Sequence, residues 1–230
     1  MRRIVGFTLA IALVFTTPTF AATIFFEDFS DNSAGWTLGP TWAIGSAATS
    51  TGHQVGNPDP ALDHTPTADN GVAGVVIGGN YPISPPHNFF FLTSPTIDLA
   101  SATGPVTLEL WRWLNSDHMP HMENRIDVFN GTSWVTIFAT GGAPAVQDSA
   151  WTQQTFDVTA FANANFAIRV GYDVNLVTVF LPFIASGWNI DDVSITDASV
   201  AAAVPEPATL LLFGAGLAAA GVRRYRQRQK

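Results

Sequence analysis

The feature that most constrains this chain is a succession of short β-forming runs over residues 22–204, without any long helical periodicity. Val, Ile, Phe, Thr and Trp dominate the runs, and Gly, Pro, Asn and Asp separate them, which is typical of strands joined by turns. The runs predict nine strands, at residues 23–29, 71–78, 89–99, 105–114, 125–129, 133–138, 151–158, 166–174 and 188–195. So many short strands in one segment predict an all-β fold with two packed sheets, a β-sandwich.

Alternation within these runs predicts which side chains are buried. In VTLELW, Leu108 and Leu110 fall on one face of the strand and Trp111 on the other. In FAIRVGY, the same rule places Phe166, Ile168, Val170 and Tyr172 on one face. The stretch RIDVF-NGT-SWVTIF predicts a hairpin, because the Asn130-Gly131 pair tolerates the positive φ angles of tight turns. Residues 45–70 are polar and contain few β-formers, so we expect long surface loops there.

The first 21 residues predict a secretory signal peptide. Arg2 and Arg3 precede an apolar run over residues 4–15, and small residues lead to a predicted cleavage after Ala21. We therefore expect an N-terminal helix over residues 1–21 that is removed on export. A membrane anchor is the alternative, but the run is shorter than the roughly 20 residues that a membrane span needs.

The end of the chain has a three-part layout that follows a predicted linker at residues 200–204. A Pro-Glu-Pro motif comes first, then a mostly apolar stretch over residues 208–222, then a basic cluster. The stretch is marginally long enough for a short hydrophobic helix, and the positive-inside rule would keep the basic cluster in the cytoplasm. The candidate sorting residues are Pro205, Glu206, Pro207, Arg223 and Arg224.

This layout resembles a PEP-CTERM sorting signal at residues 205–230. The resemblance implies export in a Gram-negative bacterium and transient insertion of the C-terminal segment in the inner membrane. It also implies an exosortase-type processing enzyme that acts near Pro-Glu-Pro, and a final location at the cell surface or in an exopolysaccharide matrix. A permanent C-terminal anchor is the alternative.

Charge and cysteine content exclude several functions. Residues 22–204 hold three basic residues against 17 acidic ones, a balance near −14. Nucleic acid is excluded as a partner because binding to phosphates needs clustered Lys and Arg. Such an acidic body would instead attract cations. The chain has no cysteine, so disulfides, cysteine zinc sites and a thiol nucleophile are excluded as well.

The order of several motifs points to a family for the body. FFEDFSDNSAGW is followed by LDHT, GGNY, LTSPTIDL and GWNIDDVSI. This order resembles the jelly-roll modules of the MAM and choice-of-anchor J type, over about residues 24–195. The resemblance implies one jelly-roll β-sandwich domain at residues 22–199, in which the first and last strands are neighbours.

The acids of those two strands are candidate metal ligands. Glu27 lies in the first predicted strand, and Asp191 and Asp192 lie in the last. The apolar positions on either side of Asp191-Asp192 are out of phase, which predicts a β-bulge. Carboxylate oxygens suit a hard cation, and the resemblance implies a structural calcium held by Glu27, by Asp191 or Asp192, and further by Asp63. The alternative is that these acids are exposed at a strand edge.

The sequence favours binding over catalysis. The tryptophans that face solvent could stack on sugar rings, although core positions are the alternative for each of them. The seven candidates are Trp36, Trp42, Trp111, Trp113, Trp134, Trp151 and Trp188. A glycosidase needs two placed carboxylates, and VTLELW carries only Glu109. No nucleophile elbow, zinc-protease motif or phosphate loop is present in the sequence.

We therefore expect an exported, non-enzymatic surface or matrix protein that binds carbohydrate or matrix components and is stabilised by calcium. One alternative is a secreted polysaccharide hydrolase that uses a carboxylate pair formed on folding. Another is a purely structural matrix subunit.

Overall fold

The computed structural model describes residues 21–51, 54, 56–65, 67–175, 184–198, 214, 216 and 224–229. Ala21–Ser199 form one compact unit. Its strands are β1 (Ala22–Glu27), β2 (Thr37–Leu38), β3 (Trp42–Ser46), β4 (Gly71–Val75), β5 (His87–Thr93), β6 (Val106–Ser116), β7 (Met122–Phe129), β8 (Trp134–Ala139), β9 (Val146–Gln147), β10 (Thr152–Asp157), β11 (Ala167–Val174) and β12 (Trp188–Asp197). A 3₁₀ turn spans Thr159–Phe161.

The strands form two sheets. Sheet I has the order β10-β6-β12-β4-β3, with β1 added on β12 and β9 on β6, and sheet II has the order β2-β5-β11-β7-β8. Along the chain, β5 lies in sheet II, β6 in sheet I and β7 in sheet II again. The connections between these strands therefore join the two layers of the sandwich. The predicted all-β jelly-roll sandwich is confirmed. The first and last strands pair, with Glu27 opposite Val193, as the resemblance implied.

The core lies between the two sheets and follows the predicted alternation. Leu108 and Leu110 of β6 are fully buried, as are Ile168 and Val170 of β11. These strand pairings and this core belong to the unit formed by Ala21–Ser199, so the unit contains what it needs to fold without the two ends of the chain.

Two predicted local features are confirmed. The hairpin joins β7 to β8, where Gly131 has a φ of 91° and the Asn130 N–H donates to the Ser133 carbonyl at 3.1 Å. The bulge lies in β12, where the register to β6 shifts between Asp191 and Ser194 and Asp192 has a φ of 46°. The bulge returns the apolar residues on both of its sides to the core.

The structure contains three strands that the sequence did not predict, β2, β3 and β9, and it shortens one that the sequence did predict. The end of β3 overlaps the start of the loop predicted at residues 45–70, and the strand exists because it pairs with β4 along its whole length. The predicted strand at residues 89–99 ends at Thr93, because Pro95 has no N–H to continue the ladder. Beyond it, Ile97 makes only an isolated bridge to Phe166.

The two ends fall largely outside the described residues. The predicted signal-peptide helix lies outside them, apart from Ala21, and so do the linker at 200–204 and the predicted sorting residues Pro205, Glu206, Pro207 and Arg223. In the tail, residues 214, 216 and 224–227 are helical, and Arg224 is exposed. Within the described part of the chain, no helix combines the length and apolar character needed to cross a bilayer.

Candidate functional site

Glu27, a predicted calcium ligand, is the last residue of β1, and its side chain is buried. One carboxylate oxygen accepts the Phe29 N–H and the other accepts the Trp36 indole N–H, both at 2.9 Å. Burial raises the pKa of Glu27, and these two hydrogen bonds lower it in part. In the structure, this carboxylate therefore fastens the loop after β1.

The other three predicted ligands lie near one another. Asp191 is buried and accepts the backbone N–H of His64 at 2.8 Å. Burial, followed by the charges of Asp192 and Asp63, raises the pKa of Asp191 to about 7. Asp192 contacts the His64 ring at 2.7 Å, while its other oxygen is buried without a partner among the described residues. Asp63 accepts from the Thr67 hydroxyl at 2.7 Å.

This arrangement meets the needs of calcium only in part. The charges of Asp63 and Asp192 act on Asp191, and an added cation would relieve that repulsion. However, within the described ranges, no group of three or more acidic or histidine side chains is placed to hold a metal ion. The calcium site stays a prediction, with Glu27, Asp63, Asp191 and Asp192 as the candidate ligands that the sequence named.

The outer side of sheet I carries what we call the tryptophan face: Trp111, Trp113 and Trp151. Residues 57–65, the covering segment, bind to it. The indole of Trp113 donates to the Pro58 carbonyl at 3.0 Å, and that of Trp151 donates to the Leu62 carbonyl at 3.2 Å. The ring of His64 stacks on Trp111, with centroids 3.6 Å apart. These half-buried rings hold a loop, so they are poor candidates for the sugar platform that the sequence suggested.

Sheet II carries a different outer surface, which we call the arginine face: Phe89, Phe91, Arg125, Trp134 and Arg169. Arg169 lies between the core residues Ile168 and Val170, so its side chain points away from the core. Phe89 and Phe91 stack with ring centroids 5.3 Å apart. The five side chains come from four adjacent strands and are half-buried.

Each guanidinium of this face packs on aromatic rings. The Arg125 guanidinium lies 4.0 Å from the Phe89 ring centroid. That of Arg169 lies 3.9 Å from Phe91 and 4.4 Å from Trp134. Arginine over a ring gains cation–π attraction, which fixes both planes. The result is a continuous layer of planar groups on the outside of the sheet.

A glycine makes room for this layer. Gly171 of β11 stands opposite Phe91 of β5, and a β-carbon at Gly171 would overlap the Phe91 ring. The ring therefore rests on the backbone of β11 instead of on a neighbouring side chain.

Sequence reasoning named Trp134 among the tryptophans but missed the phenylalanines and arginines around it. The available signal was alternation, because Phe89 and Phe91 lie out of phase with buried Leu92. In the same way, Arg169 is out of phase with the core residues of its own strand. The order of strands in sheet II then brings these positions together.

Comparisons with known proteins give a family match in the tail and distant structural matches to the body. Residues 203–227 match the PEP-CTERM protein-sorting motif. The match confirms the sorting signal that the sequence predicted at residues 205–230. The PEP-CTERM motif covers the tail alone. No curated protein matches the chain.

Solved structures resemble the body at low identity. The K3 cleaved adhesin domain of Lys-gingipain from Porphyromonas gingivalis has 14% identity and a TM-score of 0.39, covering 76% of this chain and 98% of that one. The CBM22-2 xylan-binding domain of Paenibacillus barcinonensis Xyn10C has 14% identity and a TM-score of 0.39, with coverage of 76% and 99%. Caldicellulosiruptor saccharolyticus CBM27-1, in complex with mannohexaose, has 10% identity and a TM-score of 0.42, with coverage of 77% and 97%.

Proposed function

We propose that this protein is exported and acts as a non-enzymatic carbohydrate-binding protein of the cell surface or extracellular matrix. The PEP-CTERM motif supports export. In this proposal, the apolar stretch at 208–222 holds the precursor briefly in the inner membrane, with the basic cluster in the cytoplasm. An exosortase-type enzyme then cuts near Pro-Glu-Pro. Mass spectrometry of the protein from fractionated cells tests this route, and an intact C-terminus on the surface form would contradict it.

The observation that carries the binding proposal is the layer of planar groups on the arginine face. Sugar rings present apolar C–H faces and many hydroxyl groups, so they suit aromatic surfaces with polar donors beside them. Trp134, Phe91 and Phe89 supply the aromatic surface, and Arg169 and Arg125 supply the donors. The sheet holds these groups in place, which lowers the entropy lost on binding.

The proposal of a non-enzymatic role rests on what the acids of this face do. Glu123 pairs with Arg125 at 2.8 Å, and Asp127 pairs with Arg169 at 2.8 Å. Both carboxylates are thus committed to orienting an arginine, whereas a glycosidase needs its two carboxyl groups directed at one bond.

The body at residues 22–199 is the material for the test. It is applied to a glycan array and, in parallel, incubated with the polysaccharides that it binds while released reducing ends are measured. Binding without product supports the proposal. Release of product would establish the alternative of a polysaccharide hydrolase. Absence of both binding and product is the result expected of the other alternative, a purely structural matrix subunit.

We further propose that calcium stabilises the body through Asp63, Asp191 and Asp192. The support is twofold: the charges of Asp192 and Asp63 add to burial in raising the pKa of Asp191, and one oxygen of Asp192 has no hydrogen-bond partner among the described residues. The three carboxyl groups would have to turn toward a common point to bind the ion. Thermal unfolding of the body is measured with calcium and with a chelator. A higher Tm with calcium, lost in Asp191→Asn, is expected, and equal Tm values would overturn this proposal.

A further inference from the structure

The three arginines of the body differ in how their guanidinium nitrogens are hydrogen-bonded to acidic side chains. Arg112 forms a bidentate ion pair, because its Nε and Nη2 donate to the two carboxylate oxygens of Asp148 at 2.9 and 3.0 Å. In Arg125, Nε and Nη2 both donate to one oxygen of Glu123. Arg169 uses Nε alone, to Asp127 at 2.8 Å. No described residue accepts a hydrogen bond from its two terminal nitrogens.

Arg169 is nevertheless held firmly. Its guanidinium lies between the rings of Phe91 and Trp134. Its partner Asp127 is only 1% exposed, and the other oxygen of Asp127 accepts the Thr136 hydroxyl at 2.7 Å. The Arg169 side chain is 23% exposed. A fixed, partly exposed guanidinium with two terminal nitrogens that no described residue occupies is a preorganised fork of hydrogen-bond donors.

Such a fork fits two kinds of acceptor pair. A carboxylate offers two oxygens in one plane, and two adjacent hydroxyl groups on a sugar ring offer a similar pair. The charges around Arg169 decide between them. Arg169 and Arg125 are already balanced by Asp127 and Glu123, and Asp173 adds a further acid, because its carboxylate accepts the Glu123 backbone N–H at 2.9 Å.

A carboxylate ligand would therefore meet a surface with no positive charge left over, on a body whose balance is near −14. Charges within a Debye length of about 8 Å are not fully screened in physiological salt, so the neighbouring acids would repel it. Neutral hydroxyl groups meet no such penalty. Charge thus favours the neutral acceptor pair.

We propose that Arg169 is a specificity-determining residue that donates its two terminal N–H₂ groups to adjacent ring hydroxyls of a neutral polysaccharide, and that Asp127 positions it. This inference rests on the proposed carbohydrate-binding function. It adds the ligand class: neutral glycans, with acidic glycans disfavoured.

Affinity electrophoresis of the body tests the proposal with two neutral probes, hydroxyethylcellulose and galactomannan, and two acidic probes, alginate and polygalacturonate. Neutral probes should bind, with an affinity that is nearly the same at about 0.02 M and about 0.5 M salt. Arg169→Lys keeps the charge but loses the fork, so we expect affinity to fall about tenfold. Arg112→Lys is the control for the same exchange away from the face, and its affinity should be unchanged.

Asp127→Asn gives a readout that a purely structural role would not move. The substitution removes the ion pair that positions Arg169, so binding of neutral probes should weaken. It also removes one negative charge, so binding of acidic probes should rise. Circular dichroism and thermal melts establish that each variant is folded.

Three results would overturn the inference. One is tighter binding of acidic probes by the unmodified body, with affinity falling as salt rises. Another is full affinity in Arg169→Lys, and the third is an unchanged preference in Asp127→Asn. In all three cases the body still binds glycans. Binding of no glycan at all would instead remove the proposed function, so the two failures are distinguishable.

Discussion

Asp59 gives the protein a pH dependence that can be worked out from its surroundings. The residue lies in the covering segment and is 2% exposed, and one of its oxygens accepts from the Asn189 amide at 2.8 Å. Burial raises the pKa of Asp59 to about 7, although the hydrogen bond from Asn189 offsets part of that effect. Its other oxygen has no partner among the described residues.

The raised pKa sets both the direction and the size of the effect. Between pH values near 3.8 and 7, the folded protein keeps the proton of Asp59 while the unfolded chain releases it. The free energy of unfolding therefore falls as pH rises through this window. A shift of about three pH units, at roughly 1.4 kcal/mol for each, makes the fall about 4 kcal/mol.

Asp59→Asn removes this ionisation. We expect the variant to gain about 4 kcal/mol relative to the unmodified protein between about pH 4 and about pH 8, with most of the change below pH 7. Asp191 acts in the same direction, because its pKa is also raised to about 7, so the variant keeps part of the slope.

Urea unfolding of the body, followed by tryptophan fluorescence across this pH range, measures the effect. Asp98→Asn, which alters an exposed carboxyl group, is the matched control. Parallel pH profiles for Asp59→Asn and the unmodified protein would refute the reasoning, because they would mean that burial of Asp59 does not oppose its ionisation.

Three further outcomes follow from single contacts. Trp36→Phe removes the indole that bonds the Glu27 carboxylate, so unfolding should become easier by about 1–3 kcal/mol in urea titrations. Gly171→Ala places a β-carbon in the space of the Phe91 ring, so we expect weaker glycan binding in affinity electrophoresis together with a lower Tm. Leu110→Ala empties a fully buried position between the sheets and should cost about 2–5 kcal/mol of stability without changing glycan preference.

Much of the fold could be predicted because local pattern and burial agree. Alternation in β6 and β11 marked the core positions, and the phase change at Asp191-Asp192 marked the bulge. β3 could not be found in this way. Its five residues, WAIGS, carry little β pattern of their own, and they become a strand through pairing with β4.

The candidate site was harder to predict because it depends on which strands become neighbours. Phe91, Arg169 and Trp134 are far apart in the sequence, and the strand order β5-β11-β7-β8 brings them onto one surface. Tryptophan content alone pointed equally to Trp111 and Trp113. The structure separates Trp111 and Trp113 from Trp134, since the indole of Trp113 donates to the covering segment.

The most direct test of the account compares two tryptophans in a calorimetric titration of the body with a neutral polysaccharide that it binds. Trp134→Ala should abolish the heat of binding, because Trp134 belongs to the arginine face. Trp113→Ala should bind with nearly unchanged affinity, although its Tm should fall as the covering segment loosens. Lost binding in Trp113→Ala with full binding in Trp134→Ala would contradict the placement of the site on sheet II.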